Sequence, residues 1–279
     1  MKDKIFLQLF ELARAFNKRG LKPVICGGLG VYLSFYMREK GLSLRTTNDI
    51  DLMLTKSQVC EESLRNAIAD IITEELEYLV CEDGKHFQFQ KGNQQYLDIL
   101  TERVRGVAVE GFRAKLVKSR LHGYVADEAC FVEEDLKTIR LSDILPECKE
   151  ATGLEISVPS LTNQLILKLF AFNDRHKGQR KKESLAQAHA FDIFVIVTLA
   201  GVNDYKEGQE LLNSYRESPV IRKAGRVIEE CFSSLDGIGW QYVLGTANFY
   251  PDLDIGQKRE KLDEAKRRLV KWFSVDVGS

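Results

Sequence analysis

A chain of 279 residues can bury a large core and form one or two domains. Forty Lys and Arg against 41 Asp and Glu give a net charge of −1, so any attraction to nucleic acid must be local. The hydrophobic share of 44% and charged share of 29% are ordinary for a soluble globular protein. Six cysteines without a Cys-x-x-Cys pair argue against a disulfide framework or a zinc knuckle.

The start of the sequence bears on localisation. Met1 is followed by the charged residues Lys2, Asp3 and Lys4, which do not form the apolar core of a secretory signal. No apolar run approaches the roughly 20 residues that a membrane span needs. We therefore expect a cytoplasmic protein without a membrane partner.

Helical and strand patterns alternate in the first half of the sequence. Helical spacing of apolar residues predicts helices at 4–18, 29–36 and 57–76, with Ser57 as a candidate N-cap of the last. Short β-like runs predict strands at 23–26, 50–54, 86–90 and 95–100, the last two joined by a turn at 91–93. Residues 101–150 are mixed, with strands expected near 107–109 and 123–125.

The second half is mostly helical after Pro159. The predicted helices are 161–172, 184–199, 203–217, 219–235 and 258–273. We therefore predict an α+β fold in which a small mixed sheet flanked by helices is followed by a helical domain. The predicted domains are residues 1–152 and 153–279.

Two aspartates open the predicted strand at residue 50. Asp49 and Asp51 are two positions apart, so both side chains point to the same face of a strand. Neighbouring like charges are unfavourable unless a cation or a proton lies between them. Carboxylate oxygens are ligands that suit Mg²⁺, whereas an isolated Asp-x-Asp is also common at a solvated strand end.

A third aspartate lies within the later strand pattern. Asp98 stands between apolar neighbours, although aspartate is disfavoured inside strands. If its strand lies beside that of Asp49 and Asp51, three carboxylates converge. Such a set can hold two Mg²⁺ ions about 4 Å apart, with Mn²⁺ as an alternative, and Asp98 would activate the attacking hydroxyl.

The segment Cys26 to Leu33 contains a glycine pair that ends a strand and begins a helix. Gly27 and Gly28 allow a phosphate to approach the backbone, and the helix N-terminus favours an anion. A dinucleotide fingerprint is disfavoured because Leu33 stands where Gly or Ala is required and because two acids open the next strand. The Walker P-loop, the Gly-x-Ser-x-Gly turn and the His-Glu-x-x-His motif do not occur in the sequence.

Taken in order, these motifs resemble the nucleotidyltransferase superfamily of DNA polymerase β type, whose pattern is hG[GS]…Dh[DE]…D. The Gly-Gly turn, R-x-T-x-D-I-D-L and V-P-S-(x)4-L-I-L-K-L are together similar to AbiE-type abortive-infection toxin nucleotidyltransferases. The catalytic pattern covers about residues 22–100, and a weaker match continues to about 200.

The resemblance implies roles for particular residues. It implies that Gly27 and Gly28 bind the triphosphate, that Asp49 and Asp51 hold both metals, and that Asp98 completes the site. The remaining nucleotide-binding candidates, on the family pattern or by their charge, are Arg45, Thr47, Lys168, Arg175 and Asp192.

Several of these candidates have a structural alternative. Lys168 within an apolar helix face could extend to solvent as a structural lysine rather than reach phosphates. The basic stretch 175–182 is either a solvated charge run or a contact for a triphosphate or an RNA backbone. Asp192 and the weaker candidate His189 are three positions apart, on one helix face.

These patterns predict a Mg²⁺-dependent nucleotidyltransferase that moves an NMP from an NTP to an acceptor hydroxyl and releases pyrophosphate. The resemblance implies a toxin of a toxin–antitoxin system, with tRNA as acceptor and a separate antitoxin protein as partner. One alternative is transfer to a small molecule such as an aminoglycoside, although basic segments favour RNA. Another is a non-catalytic binding module that keeps the fold.

Overall fold

The computed structural model describes residues 2–36, 38, 44–45, 47–81, 86–92, 95–118, 120–178 and 181–274. Within them, a ten-stranded mixed sheet and eleven α-helices form two compact units. The sheet unit comprises Met1–Met37 and Thr46–Pro159, and the helical unit comprises Arg38–Arg45 and Ser160–Ser279. The predicted mixed α/β character and helical C-terminal region are confirmed, and the sheet is larger than the small one expected.

The helices of the sheet unit follow the predicted order. They are α1 Lys2–Lys18, α2 Gly27–Ser34, α3 Lys56–Cys60, α4 Glu62–Asp70 and α5 Leu141–Ile144, with a π-helical turn at Ile71–Glu75 after α4. The predicted helix at 57–76 is thus interrupted at Glu61. Ser57 is not its N-cap: Thr55 caps α3 in a reciprocal capping box with Gln58, while the Ser57 hydroxyl donates to Glu133 at 2.5 Å.

The ten strands belong to one sheet. They are β1 Val24–Ile25, β2 Asp49–Leu54, β3 Leu79–Val80, β4 Gln88–Lys91, β5 Gln95–Thr101, β6 Val109–Glu110, β7 Arg113–Val117, β8 Leu121–Val125, β9 Leu136–Arg140 and β10 Glu155–Pro159. Their order is β6-β7-β8-β5-β2-β1-β10-β9, with β4 also paired to β5 and β3 paired to β4. The pairs β2–β5, β5–β8 and β1–β10 are parallel, and the others are antiparallel.

Alternation along the central strands places the core on one face of the sheet. Ile50 and Leu52 of β2 and Leu97 and Ile99 of β5 are fully buried. The residues between them, which include the three aspartates, are only half-buried. Because successive side chains of a strand point to opposite faces, one face carries the apolar core and the other carries polar groups.

The sequence does not predict the strands β3, β7 and β9, and it places the domain boundary before β10. β3 has only two residues, and the burial of β9 does not alternate, so neither shows a period-two pattern. β7 does alternate, but over only five residues. β10 lies beyond the predicted domain boundary after residue 152. It pairs with β1 and β9 and therefore belongs to the sheet unit.

The helical unit contains six of the described helices. They are α6 Leu161–Lys177, α7 Glu183–Leu199, α8 Val202–Ser214, α9 Pro219–Cys231, α10 Ile238–Leu244 and α11 Ile255–Phe273. The predicted start of α6 is confirmed, since the Ser160 hydroxyl accepts from the backbone N–H of Asn163. α10 was not predicted because it is short, and the fully buried Trp240 anchors it.

A helix needs about 20 mostly apolar residues to span a membrane. No single described helix is long and apolar enough to cross a membrane. The α7–α8 pair, bent by 113°, meets the length and composition of a span only when both helices are taken together.

Candidate active site

A row of three carboxylates lies on the polar face of the sheet. β2 and β5 run parallel, with Asp51 the register partner of Asp98 and Asp49 the partner of Tyr96. Register partners on neighbouring strands share a face and stand about 4.8 Å apart. Asp49 shares that face because it lies two residues before Asp51. The expectation that the strand of Asp98 lies beside that of Asp49 and Asp51 is confirmed.

Neighbouring polar side chains hold two of these carboxylates. The hydroxyl of Thr47 donates to Oδ1 of Asp49. On the other side of β5, Gln88 is the antiparallel partner of Asp98, and its Nε2 lies 3.3 and 3.2 Å from the two carboxylate oxygens. These contacts orient the carboxylates of Asp49 and Asp98.

The glycine turn lies directly against Asp51. β1 and β2 are antiparallel, with Ile25 opposite Leu52, and the backbone N–H of Cys26 donates to the carbonyl of Asp51 at 2.8 Å. Gly27 has a φ of +64°, and a Cβ built on it would overlap the Asp51 carboxylate. Both the conformation and the close approach therefore require glycine at this position.

Helix α2 begins at this same turn. Its first residues are Gly27 and Gly28, and its first turn contains no acidic residue. The N-terminus of an eight-residue helix carries partial positive charge and backbone N–H groups that suit an anion. The strand β2 thus brings Asp51 to the start of a helix that favours phosphate.

The expected Mg²⁺ site can be compared with the side chains of the carboxylate row. Among the residues that the structure describes, no group of three or more His, Cys, Asp or Glu side chains is arranged to hold a metal ion. Mg²⁺ usually takes only one or two protein carboxylates and completes its shell with water and substrate phosphates. The hard oxygen donors of Asp49 and Asp51, beside a helix start that favours phosphate, fit that mode of binding.

Three other predicted site residues meet within the helical unit. Lys168 of α6 and Asp192 of α7 form an ion pair with Nζ–Oδ2 at 2.6 Å, and their side chains are 6% and 4% exposed. Arg45 donates to the same carboxylate from Nη2 at 2.9 Å and from Nε at 3.2 Å. Asp192 therefore accepts from two cations at once.

Burial and the neighbouring charges shift the pKa values of Asp192 and His189. Burial raises the pKa of Asp192, but the charges of Lys168 and Arg45 and their hydrogen bonds bring it below its usual value. Burial lowers the pKa of His189, one turn earlier on α7, to about 3, with Lys168 acting in the same direction. At neutral pH a carboxylate bound to two cations thus stands beside a neutral imidazole.

This arrangement bears on the roles predicted for the second half. Lys168 is buried and bound to Asp192, so it does not extend to solvent as the structural alternative expected, and its contact with phosphates stays a prediction. Arg175 and His176 lie in the last turn of α6, and Lys177 pairs with Glu230 at 2.7 Å. Within the basic stretch 175–182, residues 179 and 180 lie outside the described part of the chain.

One polar partner of the carboxylates was missed from the sequence. Gln88 is not predicted as a site residue, because a single glutamine on a strand matches no motif. The predicted hairpin of the strands 86–90 and 95–100 could have indicated its position. The pairing of β4 with β5 confirms that hairpin. Residue 93 of the predicted turn lies outside the described residues. The observed register, with Lys91 opposite Gln95, places Gln88 opposite Asp98, two positions beyond the partner that the predicted turn would give.

Comparison of the chain with protein-family models, curated proteins and solved structures found no match.

Proposed function

We propose that the protein is a Mg²⁺-dependent nucleotidyltransferase that transfers an NMP from an NTP to an acceptor hydroxyl and releases pyrophosphate. The observation that carries this proposal is the register of Asp51 with Asp98, with Asp49 on the same face and Gly27 against the Asp51 carboxylate. Three acids and a phosphate-favouring helix start are then neighbours in one fold, although they lie far apart in sequence.

Each group has a chemical role in this proposal. Asp49 and Asp51 would hold the ion, which when bound neutralises phosphate charge and lowers the pKa of the attacking hydroxyl. Asp98 would accept a hydrogen bond, and then the proton, from that hydroxyl. Gln88 keeps the Asp98 carboxylate oriented, and the N–H groups at the start of α2 would receive a phosphate.

The acceptor and the partner follow from the sequence resemblance and from local charge. An RNA acceptor, tRNA in particular, is supported by the basic residues Arg175, Lys177, Lys181 and Lys182 around the end of α6. The resemblance also supports neutralisation by an antitoxin protein. The choice of acceptor is tested separately from catalysis by comparing RNA with a small hydroxylated acceptor.

The test is transfer of label from each of the four α-labelled NTPs in the presence of Mg²⁺ and total RNA. We expect labelled RNA and released pyrophosphate with at least one NTP. The double variant D49N/D51N should lose this activity by a factor of at least about 10³, as expected when charge stabilisation of a phosphoryl transfer is removed. NTP turnover retained by that variant would refute the assignment.

Two controls separate chemistry from folding and from acceptor choice. The variant D127N changes an aspartate that is 61% exposed and pairs with Arg103 at the surface, and it should keep full activity. Pyrophosphate release supported by a small hydroxylated acceptor, but not by RNA, would keep the reaction type and replace the acceptor.

A further inference from the structure

Two histidines of the sheet unit lie side by side and do not belong to the carboxylate row. The rings of His86 and His122 have centroids 4.8 Å apart and are tilted by 57°. Their backbones are joined, since the N–H of His122 in β8 donates to the carbonyl of His86 at 2.8 Å. The pair is thus held by the sheet as well as by ring contact.

Each ring has a nitrogen without a partner. Nδ1 of His86 and Nδ1 of His122 are both buried, and neither has a hydrogen-bond partner among the described residues. His122 is only 4% exposed, and buried polar atoms are nearly always satisfied in folded proteins. Two such atoms belong to rings that are in contact with each other.

The tautomer of His122 follows from its other nitrogen. Nε2 of His122 is hydrogen-bonded to the backbone carbonyl of Lys118, and because a carbonyl only accepts, Nε2 carries the proton. Nδ1 then presents a bare lone pair. Metal-binding histidines usually donate their second N–H to a backbone carbonyl or a carboxylate in this way.

The spacing and the protonation of the rings suit one metal ion. Two imidazoles bound to a tetrahedral ion at 2.0–2.1 Å have ring centroids about 5 Å apart. A neutral imidazole at neutral pH is the form that binds a metal.

We infer that His86 and His122 form a binding site for one borderline divalent transition-metal ion of the Zn²⁺ type, through their Nδ1 atoms. Imidazole nitrogen selects such ions over Mg²⁺, so this site is chemically distinct from the carboxylate row. The ion would link β8 to the residues that precede β4. Because it binds the folded chain, it would raise the melting temperature.

The inference is tested on the full chain with Zn²⁺ alone, without nucleotide. Calorimetry should show saturable binding of one equivalent, with a rise in Tm. The variants H86Q and H122Q should each lose this binding, whereas H176Q, which changes a histidine of the helical unit, should keep it. D51N should also keep it, so that the result does not depend on the proposed catalytic function.

A measurement on the unmutated protein covers variants that fail to fold. In long-range ¹H–¹⁵N spectra of histidine-labelled protein, Zn²⁺ should shift the Nδ1 resonances of two histidines and leave the other two unchanged. Absence of saturable binding would overturn the inference. Binding that persists in both H86Q and H122Q would also overturn it, because cysteines would then be the ligands.

Discussion

Asp51 and Asp98 are direct register partners on parallel strands, so two carboxylates stand about one strand spacing apart on one face. Such a pair repels unless a cation or a proton is shared. We expect D98N to raise the free energy of unfolding by about 1 kcal/mol in metal-free buffer, because one charge is removed. The amide oxygen of the new side chain would still accept the hydrogen bond of Gln88.

The same variant reports on Mg²⁺ binding. Urea denaturation of the unmutated protein with EDTA and with Mg²⁺ should show stabilisation by the ion, and D98N should respond less. An identical response of the two proteins to Mg²⁺ would contradict participation of Asp98 in the ion's surroundings.

The second prediction concerns Gly27 and uses Gly20 as its matched control. Both have positive φ, +64° and +71°, but a Cβ at Gly20 would meet no atom within 4 Å. G20A should therefore cost only about 1–2 kcal/mol for the left-handed backbone. G27A adds overlap with Asp51, and we expect about 2–5 kcal/mol in total and a loss of NTP turnover. Equal costs for the two variants in urea denaturation would show that Asp51 moves aside without penalty.

The third prediction concerns the buried ion pair of Lys168 and Asp192. K168M leaves a buried carboxylate with Arg45 as its remaining cation, and we expect a loss of about 3 kcal/mol in the free energy of unfolding. K177M is the control because Lys177 and Glu230 pair at the surface, where the loss should stay below about 1 kcal/mol. A loss of less than about 1 kcal/mol for K168M as well would mean that Arg45 alone compensates Asp192.

The fourth prediction is a pH dependence caused by His189, whose pKa is lowered to about 3 by burial. Below the ordinary value of 6.5 the unfolded chain binds a proton that the folded chain does not, so stability falls as pH decreases from 6.5 towards 3. The slope for one such group is up to about 1.4 kcal/mol per pH unit. Asp192 acts only at the acid end of this window, since its lowered pKa makes stability fall as pH drops below its ordinary value of 3.8.

Urea denaturation between about pH 6.5 and about pH 4.5 measures this slope. H189Q should flatten it, because the variant has no imidazole to protonate in the unfolded state. H176Q removes a half-buried histidine at the end of α6 and should leave most of the slope. Equal slopes for H189Q and the unmutated protein would assign the acid sensitivity to other groups.

The sequence was most informative where an aspartate interrupts the alternating apolar pattern of a strand. Each of Asp49, Asp51 and Asp98 interrupts an apolar strand pattern, so the sequence predicts that they share a face if their strands are neighbours, and the pairing of β2 with β5 meets that condition. The strand β9 could not be predicted with the same rule, since none of its residues is fully buried and its exposure does not alternate. The strand β7 does alternate, but its five residues are too few for a clear pattern.

Long-range polar contacts lay beyond the sequence. Arg45 and Asp192 are 147 residues apart, and no local pattern links an arginine before β2 to a carboxylate in α7. The resemblance marked both residues as nucleotide-binding candidates, but it did not pair them with each other. Their bond depends on packing of the helical unit, which periodicity does not specify.

The path of the chain through the two units limits how the protein can be divided. The helical unit takes Arg38–Arg45 from the first part of the chain, so the backbone passes between the units three times. A shortened chain that begins at Ser160 would contain all of α6 to α11 but would lack Arg45, and Asp192 would lose one of its two cations. Truncation or domain exchange at a single junction would therefore leave the buried charge of Asp192 under-compensated. An exchange that preserves the fold must move Arg38–Arg45 together with Ser160–Ser279.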